Sequence, residues 1–194
     1  MTDEQLQVCR LCLSLCRDLC PVAVHAFRDD LLPNHKVRAA AVALQGGEAS
    51  LEQLDACTDC GACTEFCHFD VPVADFLAEA RATLQPPPAP RLAPASARPL
   101  GAADLPAARR MACCGNDAPE LDLPEVVPPL GSSSCGATLP DGVGDADLHL
   151  TMARAMLVDV PDGAVVVVAD PGCAAHLHAS AAGRLKVVVA AADE

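Results

Sequence analysis

The first 84 residues carry a helical rhythm. In "VPVADFLAEARATL" (71–84), Val73, Phe76, Leu77, Ala80 and Leu84 recur at the spacing of one helix face. Asp75 stands early and Arg81 late, as the helix dipole prefers. "VRAAAVAL" (37–44) is rich in helix formers and stops at Gly46-Gly47. "SLEQLDA" (50–56) offers Ser50 as an N-cap with Gln53 three residues on, the pattern of a capping box. No strand pattern interrupts this half.

The rhythm then changes. Residues 85–108, "QPPPAPRLAPASARPLGAADLPAA", are rich in Pro and Ala and predict an extended linker, because proline lacks the N–H that a helix or a ladder needs. Beyond it, "AVVVVAD" (164–170) and "LKVVVAA" (185–191) are continuous β-branched runs bounded by turn residues, the signature of strands buried on both faces. "GCAAHLHASAAG" (172–183) between them predicts a short helix. "DADLHLTMARAMLVDV" (145–160) predicts a helix of about four turns. "RRMACC" (109–114) is a candidate for a further strand. This alternation implies a parallel sheet. The expected fold class is therefore an α+β chain in two parts. Residues 1–84 form an α-helical module, residues 85–108 a linker, and residues 109–194 a small α/β domain.

Composition narrows the function. The 194 residues include no Trp, no Tyr and only four Phe, so a large aromatic core is excluded. The net charge is −13. Phosphate neutralisation needs Lys and Arg patches, so nucleic acid is an unsuitable partner, and so is an anionic membrane surface. The acidity suits a soluble protein or one that docks on a basic partner. "MTDEQLQVCR" has neither a basic n-region nor an apolar h-region, and no apolar run reaches the length of a membrane span. The expectation is a cytoplasmic protein without a transmembrane segment of its own. In that compartment thiols stay reduced, so the 12 cysteines are read as metal or redox ligands rather than as disulfides.

Eight of them stand in two runs. "CTDCGACTEFCH" holds Cys57, Cys60, Cys63 and Cys67 at the spacing C-x2-C-x2-C-x3-C. Such short spacings let thiolates converge on one iron–sulfur cubane. Gly61 suits a turn that wraps the backbone around it. "CRLCLSLCRDLCP" holds Cys9, Cys12, Cys16 and Cys20, one residue longer, with Leu13 where the other run has its glycine. In two-cluster ferredoxins the fourth cysteine of each run ligates the other cluster. By that rule one 4Fe–4S cluster takes Cys9, Cys12, Cys16 and Cys67, and the other takes Cys57, Cys60, Cys63 and Cys20. Two rivals stand beside this. Cys9, Cys12, Cys16 and Cys20 also fit one face of a single helix, as buried small hydrophobes would. Zinc is the second rival, although zinc ribbons usually pair two separated CxxC knuckles.

The stretch from "CRLCLSLCRDLCPVAV" through "HKVRAAAVALQGG" to "LEQLDACTDCGACTEFCHFDVPVADFLAEARATL" resembles the alpha-helical ferredoxin module. That module occurs in heterodisulfide reductase C-type subunits and in the iron–sulfur subunits of anaerobic glycerol-3-phosphate dehydrogenase, glycolate oxidase and succinate dehydrogenase. The resemblance implies two 4Fe–4S clusters that relay electrons. It also implies other redox subunits as partners, whether flavoprotein, hydrogenase-, dehydrogenase- or quinone-linked. The sequence departs from it at His68, which replaces the proline after Cys67, and in the extra residue between Cys12 and Cys16.

Cys113 and Cys114 in "MACCGND", Cys135 in "SSSCGATLP" and Cys173 in "ADPGCAAHLHA" remain. Cys173 follows a strand and opens a helix, where backbone N–H groups favour a thiolate. Loops at the carboxyl ends of parallel strands are where α/β sites assemble. "SCGATLPDGVGDADLHLTMARAML" and "VVVVADPGCAAHL" resemble the cysteine-rich CCG domain of heterodisulfide reductase B- and D-type subunits. Relative to it the domain is shortened, appears once, and has Ser134 in place of a cysteine. These four cysteines are a candidate additional redox or metal site: a third centre, a thiol pair, or ordinary buried thiols. His176 and His178, two apart on a predicted helix, face different ways, and Asp162 and Asp170 flank turns and should be solvated.

No GxGxxG fingerprint follows a strand, so no flavin or NAD site is expected on the chain. The expected role is an electron-transfer subunit, itself non-catalytic, of an oxidoreductase complex. The alternatives are a thiol–disulfide (heterodisulfide) reductase-like subunit using the C-terminal cysteines, and a non-catalytic iron–sulfur or zinc adaptor.

Overall fold

The computed structural model describes residues 1–84, 100–114, 116–139, 143–144 and 147–190. The N-terminal part is helical. Helix α1 (Asp3–Leu11) starts at a capping box in which Thr2 Oγ1 accepts from the Gln5 N–H at 3.2 Å and Gln5 Oε1 accepts from the Thr2 N–H at 3.0 Å. Proline stands at the first turn of α2 (Pro21–Ala26) and of α3 (Pro33–Leu44), where its missing N–H costs nothing. Short helices α4 (Leu51–Asp55) and α5 (Ala62–Glu65) precede α6 (Val73–Leu84). Helix α3 packs on α6, and Ala40 and Ala80, both fully buried, let the two backbones approach closely. Val37, Leu54, Val71 and Leu77 complete this core.

Ser50 does cap α4, but without a side-chain bond, so the predicted capping box is absent. Gln53 reaches away instead, and its Nε2 donates to the Asp30 carbonyl at 2.9 Å. The Gln53 amide thus serves a tertiary contact instead of the cap.

The C-terminal part holds a three-stranded parallel sheet in the order β1 (Ala108–Arg110), β2 (Val165–Val168), β3 (Lys186–Val189). All four valines of β2 are buried. Val166 and Val168 face Met111, Met156 and Leu177, whereas Val165 and Val167 pack with Leu100, Ala108, Leu121 and Leu123. Both faces are thus covered, as the continuous β-branched run requires. Helix α7 (Leu148–Met156) precedes β2, and α8 (Pro171–Ser180) joins β2 to β3. Helix α7 is shorter than the predicted 145–160, of which residues 145 and 146 lie outside the described residues.

Residues 85–99 of the predicted linker also lie outside the described residues. Its end is folded: residues Ala102–Ala107 form a 3-10 helix, and Ala108 already belongs to β1. The two parts share a core. Val22, Leu31, Leu32 and Ala56 pack with Leu139, Val143, Leu148 and Met152, and α2 rests on α7. Gly131 marks the closest approach. Its φ is +74°, and a Cβ there would come within 2.8 Å of the Asp18 carbonyl oxygen, so only glycine fits without a shift. This contact carries residues 131–136 to the second cysteine run. Among the described residues, no helix is long and apolar enough to cross a membrane.

Candidate metal centres

The first cysteine run does not lie on one helix. Cys9 ends the buried face of α1, and Cys12 is its C-cap in extended conformation. Cys16 precedes a 3-10 turn (Arg17–Leu19), and Cys20 is the N-cap of α2. The helix-face reading of these four thiols is therefore corrected: the backbone breaks at Cys12 and folds round. The break is pinned at Ser14, which adopts φ +63° and donates from its hydroxyl to Asn34 Oδ1 at 2.9 Å. Asn34 Nδ2 donates to the Cys12 carbonyl at 3.4 Å. In the second run Asp59 (φ +53°) and Gly61 (φ +76°) are both left-handed, Gly61 directly after Cys60 and at the start of α5. The longer first loop has moved that position one residue on, past Leu13, and a hydrogen-bonded serine fills it.

Both runs fold back on each other. Burial, followed by the neighbouring thiols of Cys16, Cys12 and Cys67, pushes the Cys9 thiol up to about 12. Burial likewise pushes Cys63 well up, followed by Cys57, Cys60 and Cys20. Cys20, Cys57, Cys60 and Cys63 line one pocket, together with Lys36, Thr58 and Gly61. At neutral pH Cys9 and Cys63 hold their protons, so taking up a metal must displace them.

Lys36 was not a candidate from the sequence. It stands among apolar residues of α3 at no diagnostic spacing, and it is 2% exposed. Its Nζ donates to the Ala56 carbonyl at 2.8 Å and lies 3.5 Å from Cys20 Sγ. Burial works against its charge, yet the thiols of Cys20, Cys57 and Cys63 hold its pKa above the ordinary lysine value. A buried ammonium without a carboxylate fits a site that expects negative charge. The pocket thus has soft donors and a compensating cation, which suits an anionic iron–sulfur group.

Other contacts hold the second run in place. Arg81 donates to the Cys57 carbonyl at 2.8 Å and pairs with Asp59. From the C-terminal part, Ser133 Oγ donates to Cys60 Sγ at 3.4 Å. Around the first run, Leu11, Leu13 and Leu15 are exposed, Leu13 almost completely. His68 is exposed in a turn, with its ring edge-on to Phe66 at 5.6 Å.

The four C-terminal cysteines converge as well. Cys113 and Cys114 lie just past β1, and Cys173 lies in the first turn of α8 just past β2, so adjacent parallel strands deliver them to one end of the sheet. Cys135 arrives on the 131–136 segment. The four Sγ atoms all lie within 4.8 Å of one another. Cys113 to Cys114 and Cys114 to Cys135 are each 3.4 Å. Cys114 has φ +55°, a strained conformation that lets two adjacent thiols share one centre. The Cys113, Cys135 and Cys173 thiols donate toward Cys114 and hold it well below the ordinary thiol value, while the bond with Cys114 pushes Cys113 well up. Ser134 Oγ is 3.2 Å from Cys114 Sγ. Asp170 is not simply solvated: it caps α8, its Oδ1 accepting from the Cys173 N–H at 2.7 Å. His176 Nε2 lies 3.3 Å from the His149 carbonyl, whereas His178 Nδ1 accepts from the Val187 N–H at 3.4 Å, so the two histidines have separate partners.

Residues 5–71, which contain both cysteine runs, match the family of the 4Fe-4S dicluster domain. No curated protein and no solved structure matches the chain. The N-terminal part is therefore a 4Fe–4S dicluster domain with an iron–sulfur electron-transfer role, and the C-terminal part adds a separate cysteine cluster.

Proposed function

We propose that the chain is a non-catalytic electron-transfer subunit of a cytoplasmic oxidoreductase complex, with two 4Fe–4S clusters that pass electrons between a flavoprotein or quinone-linked donor and another redox subunit. The carrying observation is the crossed arrangement of the two runs. Cys67 shares the surroundings of Cys9, Cys12 and Cys16, and Cys20 lines the pocket of Cys57, Cys60 and Cys63. Those are the two ligand sets of this reading. Each bound cluster supplies one-electron chemistry.

The residues of the chain have distinct tasks. The cysteines hold and orient. Lys36 sets a fixed positive charge against the second set and donates toward Cys20. Ser133 donates to Cys60. Leu31, Ala56 and Leu77 keep bulk water from the second set. The exposed leucines beside Cys12 and Cys16 give a redox partner an apolar contact close to the first set. Residues 1–84 and 109–194 are the two working units, the first similar to C-type heterodisulfide reductase subunits and the second a pared-down CCG-like domain.

The test is anaerobic purification of the full chain. About eight irons per chain, broad absorbance near 400 nm and two reduced-cluster EPR signals are the expected results. Iron-free, zinc-loaded N-terminal thiols would overturn the reading. A thiol–disulfide reductase is the second reading, favoured by the 3.4 Å spacings at Cys114. Disulfide-dependent turnover abolished by Cys135→Ser would put it first.

A further inference from the structure

We propose that Cys113, Cys114, Cys135 and Cys173 bind one tetrahedral zinc ion that staples the C-terminal part together, and that they hold no iron–sulfur cluster. Four thiolates around one zinc at about 2.3 Å stand roughly 3.8 Å apart. All four Sγ atoms here lie within 4.8 Å of one another, and two neighbouring pairs are 3.4 Å apart. In a cubane each thiolate binds a different iron at a separate corner, so the sulfurs sit outside the cube and farther from one another. Among the described residues, the N-terminal cysteines form no such tight group. The same chain thus holds two kinds of thiol spacing.

Burial points the same way. Cys113, Cys135 and Cys173 are each 3% exposed or less. Met111, Met156, Val166 and Leu177 pack around them. Four protein ligands with no open position are the mark of a structural rather than a catalytic zinc site. Among the described residues, no buried lysine or arginine stands against this quartet as Lys36 stands against the second run.

The fold has a use for such a staple. All four phenylalanines lie within the first 84 residues, so the C-terminal part has no Phe, Tyr or Trp. Its sheet has three strands of three or four residues. Small cores of this kind commonly need a metal or disulfide. The four cysteines join the end of β1, the 131–136 segment and the first turn of α8. Ser134, 3.2 Å from Cys114 Sγ, stands beside a ligand sulfur and is not needed as a fifth ligand.

The test uses the full chain, purified anaerobically from medium supplied with both iron and zinc. Metal analysis should find about one zinc per chain besides the cluster iron, and zinc-edge X-ray absorption should find four sulfurs at about 2.3 Å. Cys135→Ser and Cys173→Ser should each lose the zinc and leave the iron unchanged. Because these variants can misfold, replacing zinc by cobalt in the unaltered chain provides a second readout: intense visible ligand-field bands of a tetrahedral tetrathiolate. A zinc-free chain would overturn the proposal, as would loss of about four irons in the Cys135→Ser variant or a zinc shell of mixed nitrogen and sulfur. None of these outcomes depends on the number of N-terminal clusters.

Discussion

Eight thiols in the N-terminal part and four in the C-terminal part have the same chemistry but different geometry. The first eight are spread over helix ends and loops, α1, α2, α4 and α5, and four of them line a pocket with a buried lysine. The last four are drawn within 4.8 Å around a single point at the end of a sheet. Helix termini separated by loops hold ligands at the corners of a large group. Adjacent parallel strands, whose spacing is about 4.8 Å, deliver ligands to one atom. The scaffold that carries the cysteines thus sets how closely they gather, and residue type alone does not.

The largest test breaks the first side of this comparison. Cys20→Ala and Cys57→Ala should remove the same EPR signal and about four irons each, while Cys9→Ala and Cys67→Ala should remove the other. Loss of the first-run signal on replacing Cys20 would show that the runs do not cross. The second test sets the two parts against each other. Ferricyanide should destroy the N-terminal clusters and leave the C-terminal zinc, because zinc has no redox chemistry of its own. Stripping the zinc with a strong chelator should then lower the melting temperature of the C-terminal part by more than about 10 °C. Simultaneous loss of both metals under mild oxidation would erase the distinction.

A smaller effect is expected at Lys36. Removing its charge in Lys36→Met should make the second cluster harder to reduce, by on the order of 100 mV for a charge several ångströms away in an effective dielectric near 20. The first cluster should move much less, and an EPR-monitored titration reads both. An unchanged second potential would mean that Lys36 serves packing alone. The smallest effect is expected at His68, which is exposed. His68→Pro should keep both clusters and shift one potential at most, since proline is compatible with the turn after Cys67. Loss of a cluster would reveal a task for the His68 N–H.

Much of the site was readable in advance. The spacing around Cys57 pointed to a cluster, and Gly61 announced the left-handed turn that the structure contains at φ +76°. The valine runs announced strands covered on both faces. The capping box at Ser50 failed because Gln53 found a distant acceptor, Asp30, that no local pattern reveals. The helix-face alternative for the first run failed because Ser14 turns the chain through a bond to Asn34, 20 residues away. Lys36 was invisible for a similar reason: what makes it notable is the thiols around it, and they come from both cysteine runs.

The sequence by itself determined which residues can ligate metal, the division into a helical and a sheet-bearing part, and the short turns inside each cysteine run. These are matters of local chemistry: side-chain type, period and spacing within a dozen residues. Only the tertiary structure decided that Lys36 is buried beside the second run and that the last four cysteines crowd together. It decided these because each depends on separations set by packing: α3 against α6, α2 against α7, and two parallel strands laid side by side.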